Sequence, residues 1–246
     1  MFASFVLYAG LVLAFFGLIL TIKPIRRLGI RKRTQGLLII LAGIAVSVIG
    51  LFLPTSESRV SQVQTQLDSF MPAWQFNEVH SIRIAAPPSR VFEAIMQVRA
   101  DEIALFKALT WIRRGGRDAP ESLLNPGNKP IMEVATESGF IYLADIPLKE
   151  IVLGTAVVVP PNTPIRLTPE IFEQELPPGF ALAAMNFSVR PDSNGSILTT
   201  ETRIFANNAS AKRSFAKYWR VIYPGSALIR RMWLRAIENR ALAVPP

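Results

Sequence analysis

The sequence predicts an α+β protein: a curved antiparallel sheet around a long C-terminal helix, preceded by a two-helix transmembrane hairpin. Three observations predict it. Two charge-free apolar runs stand near the N-terminus, short strand patterns separated by turn residues fill the middle, and a long amphipathic stretch follows them.

The first run, Met1 to Ile22, holds no charged residue, and neither does Gly36 to Leu53. At ~1.5 Å per residue, about 22 helical residues reach about 33 Å, enough to cross a hydrocarbon core of ~30 Å. Between the runs, Lys23 to Arg33 carries six basic residues and no acidic one. A cleavable signal peptide would carry its positive charge before the apolar run. Here the charge follows it, so residues 1–53 read as a hairpin with spans at about 2–22 and 36–53 and a basic loop at 23–33. The positive-inside rule places that loop in the cytoplasm and residues 54–246 on the extracytoplasmic side. The expected location is integral to a membrane, the bacterial inner membrane. Gly10, Ala14 and Gly17 in one span, and Gly36, Gly43, Ser47 and Gly50 in the other, form stripes that let helix backbones approach, chiefly within the hairpin. No ionisable residue lies inside either span, which argues against a transport pathway.

Composition narrows the function classes. Half the residues are hydrophobic and 18% are charged, which excludes a disordered chain. The net charge is +9, of which the hairpin loop supplies +6. Lys212 to Arg240 holds eight basic residues against Glu238, and residues 54–211 hold 13 basic and 17 acidic ones. The basic character is therefore a topology signal plus one face of the last helix, and with no groove-reading motif it gives no nucleic-acid partner. Absence of cysteine excludes disulfides, thiol nucleophiles and thiolate zinc sites. With His80 the lone histidine, no metal site of several histidines can form. No dinucleotide fingerprint occurs, and no cofactor is expected.

Residues 54–75 read as a connector, with Val60, Val63, Leu67 and Phe70 on one side of a short amphipathic helix. The domain proper spans 76–246. Phe76 to Ile84 reads as a strand, followed by a helix that Ser89 would cap and that carries Val91, Phe92, Ile95 and Met96. A second helix is expected over Asp101 to Leu109, then a Gly- and Pro-marked loop through Pro120, Pro126 and Pro130. Strands are expected at Ile131–Glu137, Phe140–Asp145, Ile151–Val159, Ala181–Arg190 and Ile197–Phe205. Pro160 to Pro178 is a proline-rich loop with a short helical turn near Pro169. Finally, Phe215, Trp219, Ile222, Ile229, Trp233 and Ile237 share one face of a helix over Ala209–Leu242. Pro224-Gly225 should kink or split it, with Ser226 able to recap the second part.

Two stretches carry a resemblance. Val79 to Ile95 is similar to the strand, proline and helix opening of the START-like, SRPBCC superfamily, whose fold is the helix grip. Thr200-Glu-Thr-Arg-Ile-Phe205, followed by Phe215, Tyr218-Trp219 and Ser226 to Arg230, looks like the last strand and long helix of a bacterial SRPBCC group. The resemblance covers about 76–242 and leaves the hairpin outside. It implies about seven strands around the helix with a hydrophobic cavity between, in a superfamily that binds lipids, sterols and polyketides and includes cyclases. It implies no particular activity.

Candidate ligand contacts are the aromatic and apolar residues expected to line such a cavity: Phe140, Tyr142, Met185 and Phe187 from strands, and Phe215, Trp219, Ile222 and Trp233 from the helix. No catalytic and no metal residue is assigned. His80 has Glu78 two residues away on the same strand face, a spacing that suits a general base, although a satisfied histidine is the plainer reading. Glu133 and Glu137 would share a strand face, Glu170, Glu173 and Glu175 lie in the proline-rich loop, and both groups read as surface acids. Glu201 and Arg203 read as an ion pair within the sheet. The leading reading is a membrane-anchored module binding an apolar or lipid-like ligand, with the bilayer and that ligand as partners. The alternatives are a cyclase- or dehydratase-like enzyme drawing on His80, Glu78, Tyr142, Asn186 and Glu201, and a non-catalytic structural or interaction protein.

Overall fold

The computed structural model describes residues 2–25, 27, 29–117 and 127–243. Arg26 of the basic loop, Pro120 and Pro126 of the long loop, and residues 244–246 lie outside the described residues. The chain divides into two units: Met1–Thr55 with Ala216–Pro224, and Ser56–Phe215 with Gly225–Pro246.

In the first unit, α1 (Phe2–Ile22) and α2 (Arg33–Phe52) form an antiparallel hairpin. Small residues decide the closeness of the pair. A Cβ on Gly10 would run into the backbone of Gly43 and Ser47, and one on Gly43 into Gly10 and Ala14. Gly17 meets Ile40, and Gly36 meets Thr21, in the same way. The Ser47 hydroxyl donates to the Gly43 carbonyl at 2.9 Å and to Leu7 at 3.2 Å. The outward faces, including Phe5, Phe15, Leu38 and Leu41, are exposed and apolar. Both helices are long and apolar enough to cross a membrane. Arg220 is buried in this unit and donates to the carbonyls of Leu51 and Leu53, so it is not part of a solvated basic face.

The second unit is an α+β layer structure. Its elements are β1 (Ser58–Arg59), α3 (Gln66–Phe70), β2 (Ala73–Trp74), β3 (Phe76–Ile84), α4 (Pro88–Gln97), α5 (Phe106–Arg113), α6 (Ile131–Glu137), β4 (Ile141–Ile146), β5 (Glu150–Val158), β6 (Ala181–Asp192), β7 (Gly195–Ala206) and part of α7 (Ala209–Leu242). Strands β3 to β7 make one antiparallel sheet in the order β3-β7-β6-β5-β4, and β1 pairs with β2 separately. The seven strands among the described residues are thus split five and two, where the resemblance implied one sheet.

The alternation of β-strand side chains gives the five-stranded sheet two unlike faces. The inner face carries Ile84, Ile151, Leu153, Phe187 and Leu198, covered by Val91 and Ile95 of α4, Ile131 and Met132 of α6, and Trp233, Leu234 and Ile237 of α7. The outer face carries Leu143, Val152 and Ala184, packed against Leu67 and Met71 of the connector, with Phe172 alongside. Fully burying one such aliphatic or aromatic side chain contributes about 1.5–3 kcal/mol.

Several expected elements differ in detail. Residues 131–137 are helix, not strand: Ile131, Val134 and Ala135 are buried at helical spacing behind Pro130 at the N-cap. Glu133 and Glu137 therefore lie a helical turn apart, exposed, with the Lys129 ammonium 2.7 Å from Glu137. The connector helix is confined to Gln66–Phe70, where Thr65 caps the Asp68 N–H, and Val63 stays exposed. α4 begins at Pro88, so Ser89 is inside the helix and not its cap: proline's fixed φ suits the first helical position. The helix expected at 101–109 starts only at Phe106, because Leu105 takes a left-handed φ of 57°. α7 is one helix through Pro224. Proline removes a single N–H, and the turns on either side are held by buried Phe215 and Trp219, and by Trp233 and Ile237. Ser226 caps nothing and turns its hydroxyl toward Glu78.

Candidate functional site

A buried polar patch interrupts the inner apolar layer of the second unit. Register puts it together. Glu78 of β3 is opposite Thr202 of β7, which is opposite Met185 of β6. One pair along, His80 is opposite Thr200, which is opposite Phe187. From above come Ser226, Arg230 and Trp233 of α7, spaced four and three apart and so on one helix face. The Ser226 hydroxyl donates to Glu78 Oε2 at 2.8 Å. Arg230 Nη2 donates to Thr202 Oγ1 and to Met185 Sδ, both at 3.0 Å. Trp233 packs on Phe187 with ring centroids 5.0 Å apart, and the Arg230 guanidinium sits 5.3 Å from the Trp233 ring centre.

The Glu78 carboxylate is buried, with its other oxygen 2.8 Å from His80 Nε2. A carboxylate only accepts, so this contact puts the ring proton on Nε2. Both Glu78 oxygens are occupied. Two donors are not: Arg230 Nη1 and Trp233 Nε1 are buried with no hydrogen-bond partner among the described residues. Arg230 is partly exposed as a residue, but this nitrogen is not. Burial pulls the Arg230 guanidinium below its ordinary pKa, the Glu78 carboxylate opposes that, and the Arg113 charge adds to it. Ser226 donates to the carboxylate and not to the imidazole, so the hydroxyl and His80 do not form a serine–histidine pair.

The outer face holds a second polar set. Arg203 is buried and pairs with Glu201 at 2.7 Å and Asp68 at 2.8 Å, donates to the Met71 carbonyl and stacks 4.1 Å from the Trp74 ring centre. Burial would lower the Arg203 pKa, but the two carboxylates raise it above its ordinary value. Beside it, Glu150 accepts from the Gln66 and Leu67 backbone N–H groups and from Asn186 Nδ2. The Glu201–Arg203 ion pair read from the sequence is present, and it gains Asp68 from the connector. These bonds strap the connector to the sheet. On this face lie a cavity of about 660 Å³ bordered by Phe70, Met71, Phe172, Leu182 and Phe205, and another of about 620 Å³ beside Gln66, Glu150 and Asn186.

The candidate ligand residues fall in four places. Met185, Phe187 and Trp233 are buried together in the inner layer, and Phe140 packs against that layer half-buried. Phe215 is buried against Phe76 at 5.2 Å, while Tyr142 is 37% exposed on β4, where burial raises its phenol pKa and Asp145 adds to the rise. Trp219 and Ile222 fall in Ala216–Pro224, which belongs with the hairpin unit. Glu170, Glu173 and Glu175 are exposed. The sequence reading missed Arg230, Ser226 and Thr202. The four- and three-residue spacing of Ser226, Arg230 and Trp233 was the signal that could have found the helix part.

Neither a protein-family model nor a curated protein matches the chain. Among solved structures, a Mesorhizobium loti protein (MLL2253) is similar at 16% identity and a TM-score of 0.34, covering 67% of this chain and 96% of its own. A Rhizobium leguminosarum protein has 10% identity and a TM-score of 0.31 over 67% and 95%. Human STARD10 has 9% identity and a TM-score of 0.21 over 65% and 62%. Similarity at these scores assigns neither family nor ligand.

Proposed function

We propose that this chain is a membrane-anchored module that binds an apolar or lipid-like ligand between the sheet and α7. The observation that carries the reading is the polar patch of Glu78, His80, Ser226 and Arg230 set among Met185, Phe187 and Trp233. In a layer with a purely structural task, replacing such buried charges by apolar residues of similar volume is often neutral or stabilising. An amphipathic ligand gives them a use: its apolar part is buried at ~25 cal/mol per Å² and its polar part meets the patch. The test is mass spectrometry of small molecules carried by the full chain extracted from its membrane. One defined amphipathic species, enriched about tenfold or more over its share of the bulk lipid, is expected. Bulk lipid alone, in membrane proportions, overturns the reading.

Anchoring in this proposal comes from the hairpin. α1 and α2 cross the bilayer, the basic loop faces the cytoplasm, and the second unit is extracytoplasmic, supported by the six loop charges and the apolar outward faces. Phosphatase and fluorescent-protein reporters fused after Pro246 measure the side. Phosphatase activity is expected, and fluorescence in the cytoplasm without it overturns the topology.

A further inference from the structure

We propose that Arg230 and Trp233 form a binding site for the oxyanion head of a long-chain ligand. The inference rests on the ligand-binding reading above and adds the head-group chemistry. Two buried donors, Arg230 Nη1 and Trp233 Nε1, lack acceptors among the described residues, on side chains that lie against one another. Trp233 is 4% exposed. A buried donor left unpaired costs the desolvation of that group, so the pair defines an unmet demand for an acceptor. The nearby acceptors meet other donors and none of them reaches these two atoms. Glu78 is engaged at both oxygens by His80 and Ser226, and the Thr202 hydroxyl and Met185 sulfur already receive Arg230 Nη2.

Charge selects the kind of acceptor. Arg230 feels the positive charge of Arg113 as well as the negative charge of Glu78. No salt bridge within 4.0 Å joins Arg230 to a carboxylate among the described residues. A carboxylate or phosphate oxygen fits both demands, because a charge-assisted bond to guanidinium is about twice as strong as a neutral one. The apolar tail would run along Met185, Phe187 and Ile229. A neutral ester or alcohol could accept a bond but would leave the positive charge unmatched.

The experiment uses the full chain in phosphatidylcholine nanodiscs and three photoactivatable probes with the diazirine in the chain: palmitate, its methyl ester, and a palmitoyl lysophosphatidate. Cross-linked peptides are located by mass spectrometry. At least one anionic probe is expected to label β6 or residues 225–242 about tenfold more than the ester, a difference of about 1.4 kcal/mol. Arg230→Met and Trp233→Phe are each expected to bring labelling by the anionic probe down to the level of the ester in the same variant, so that the anionic-to-ester ratio falls to about one. Which anionic probe responds separates a fatty-acid source from a phospholipid source. Equal interior labelling by ester and anionic probes in the natural chain overturns the head-group assignment and leaves the apolar-ligand reading standing. Interior labelling by none of the three overturns both. Should Arg230→Met fail to fold, the ester ratio of the natural chain and Trp233→Phe decide.

Discussion

Replacing Arg203 by methionine is expected to destabilise the second unit by about 3–5 kcal/mol, read as a fall in the thermal midpoint of the full chain in detergent. The side chain is buried between two carboxylates, Asp68 and Glu201, over the Trp74 ring. Methionine keeps the volume but strands the Asp68 carboxylate, which is itself buried, without its cation. The connector should loosen with it, since Arg203 also holds the Met71 carbonyl. A loss below about 1 kcal/mol would mean that the set behaves as an exposed pair and the strap is weak. The same set fixes an acid limit. Burial would raise the Asp68 pKa, but bonds from the Gln64 backbone, Arg203 and Thr65 outweigh it and hold the carboxyl below its ordinary value. A depressed pKa means that the stabilisation is present above the unfolded-state value, about 4, and is lost as pH falls through the folded one. Acid unfolding of the natural chain should therefore show a step below about pH 4 that Arg203→Met moves to higher pH.

Gly43→Leu is expected to open the hairpin. Any Cβ at position 43 meets the backbone of Ala14 and Gly10, and backbone cannot step aside as a flexible side chain can. Overpacking commonly costs 1–3 kcal/mol, and here it falls where close approach is what joins the helices. The chain has no cysteine, so dyes can be placed on cysteines introduced at Phe2 and Thr55 alone. Energy transfer between them should be high in the natural background and fall sharply with Gly43→Leu. Leu41→Phe, on an exposed face of the same helix, should leave it unchanged. Equal transfer in all three would show that the stripe does not set the pairing.

How far the sequence leads depends on what each feature needs. The two apolar helices were legible because length and the absence of charge can be read locally. Strands β5, β6 and β7 were legible because alternation and turn residues are local. Residues 131–137 were misread because Ile131, Val134 and Thr136 favour strands, while the helical evidence, Pro130 before Ile131, Val134 and Ala135, spans less than two turns. The site itself was half legible. Glu78 and His80 share a strand and so could be paired by counting. Arg230 counted as one more positive charge on a basic helix, and only the packing of α7 on Thr202 and Met185 takes its guanidinium out of water. Arg220 was obscured for the same reason.

The pairing of β3 with β7 has a consequence in time. These neighbours in the sheet are separated by about 120 residues of chain. At a synthesis rate of about 5–20 residues per second, β3 waits roughly 6–24 s before β7 exists. β6 and β7, by contrast, meet across the short turn at 193–194 almost as they emerge. Loop closure over the long separation is slow for the same entropic reason that links high contact order to slow folding. Ser226, Arg230 and Trp233 come later still, so Glu78 and His80 spend the whole interval with only each other, on an orphan strand. Nascent chains stalled before residue 196 should leave β3 open to protease and to chaperones, and the polar patch can assemble only after residue 233 has been made.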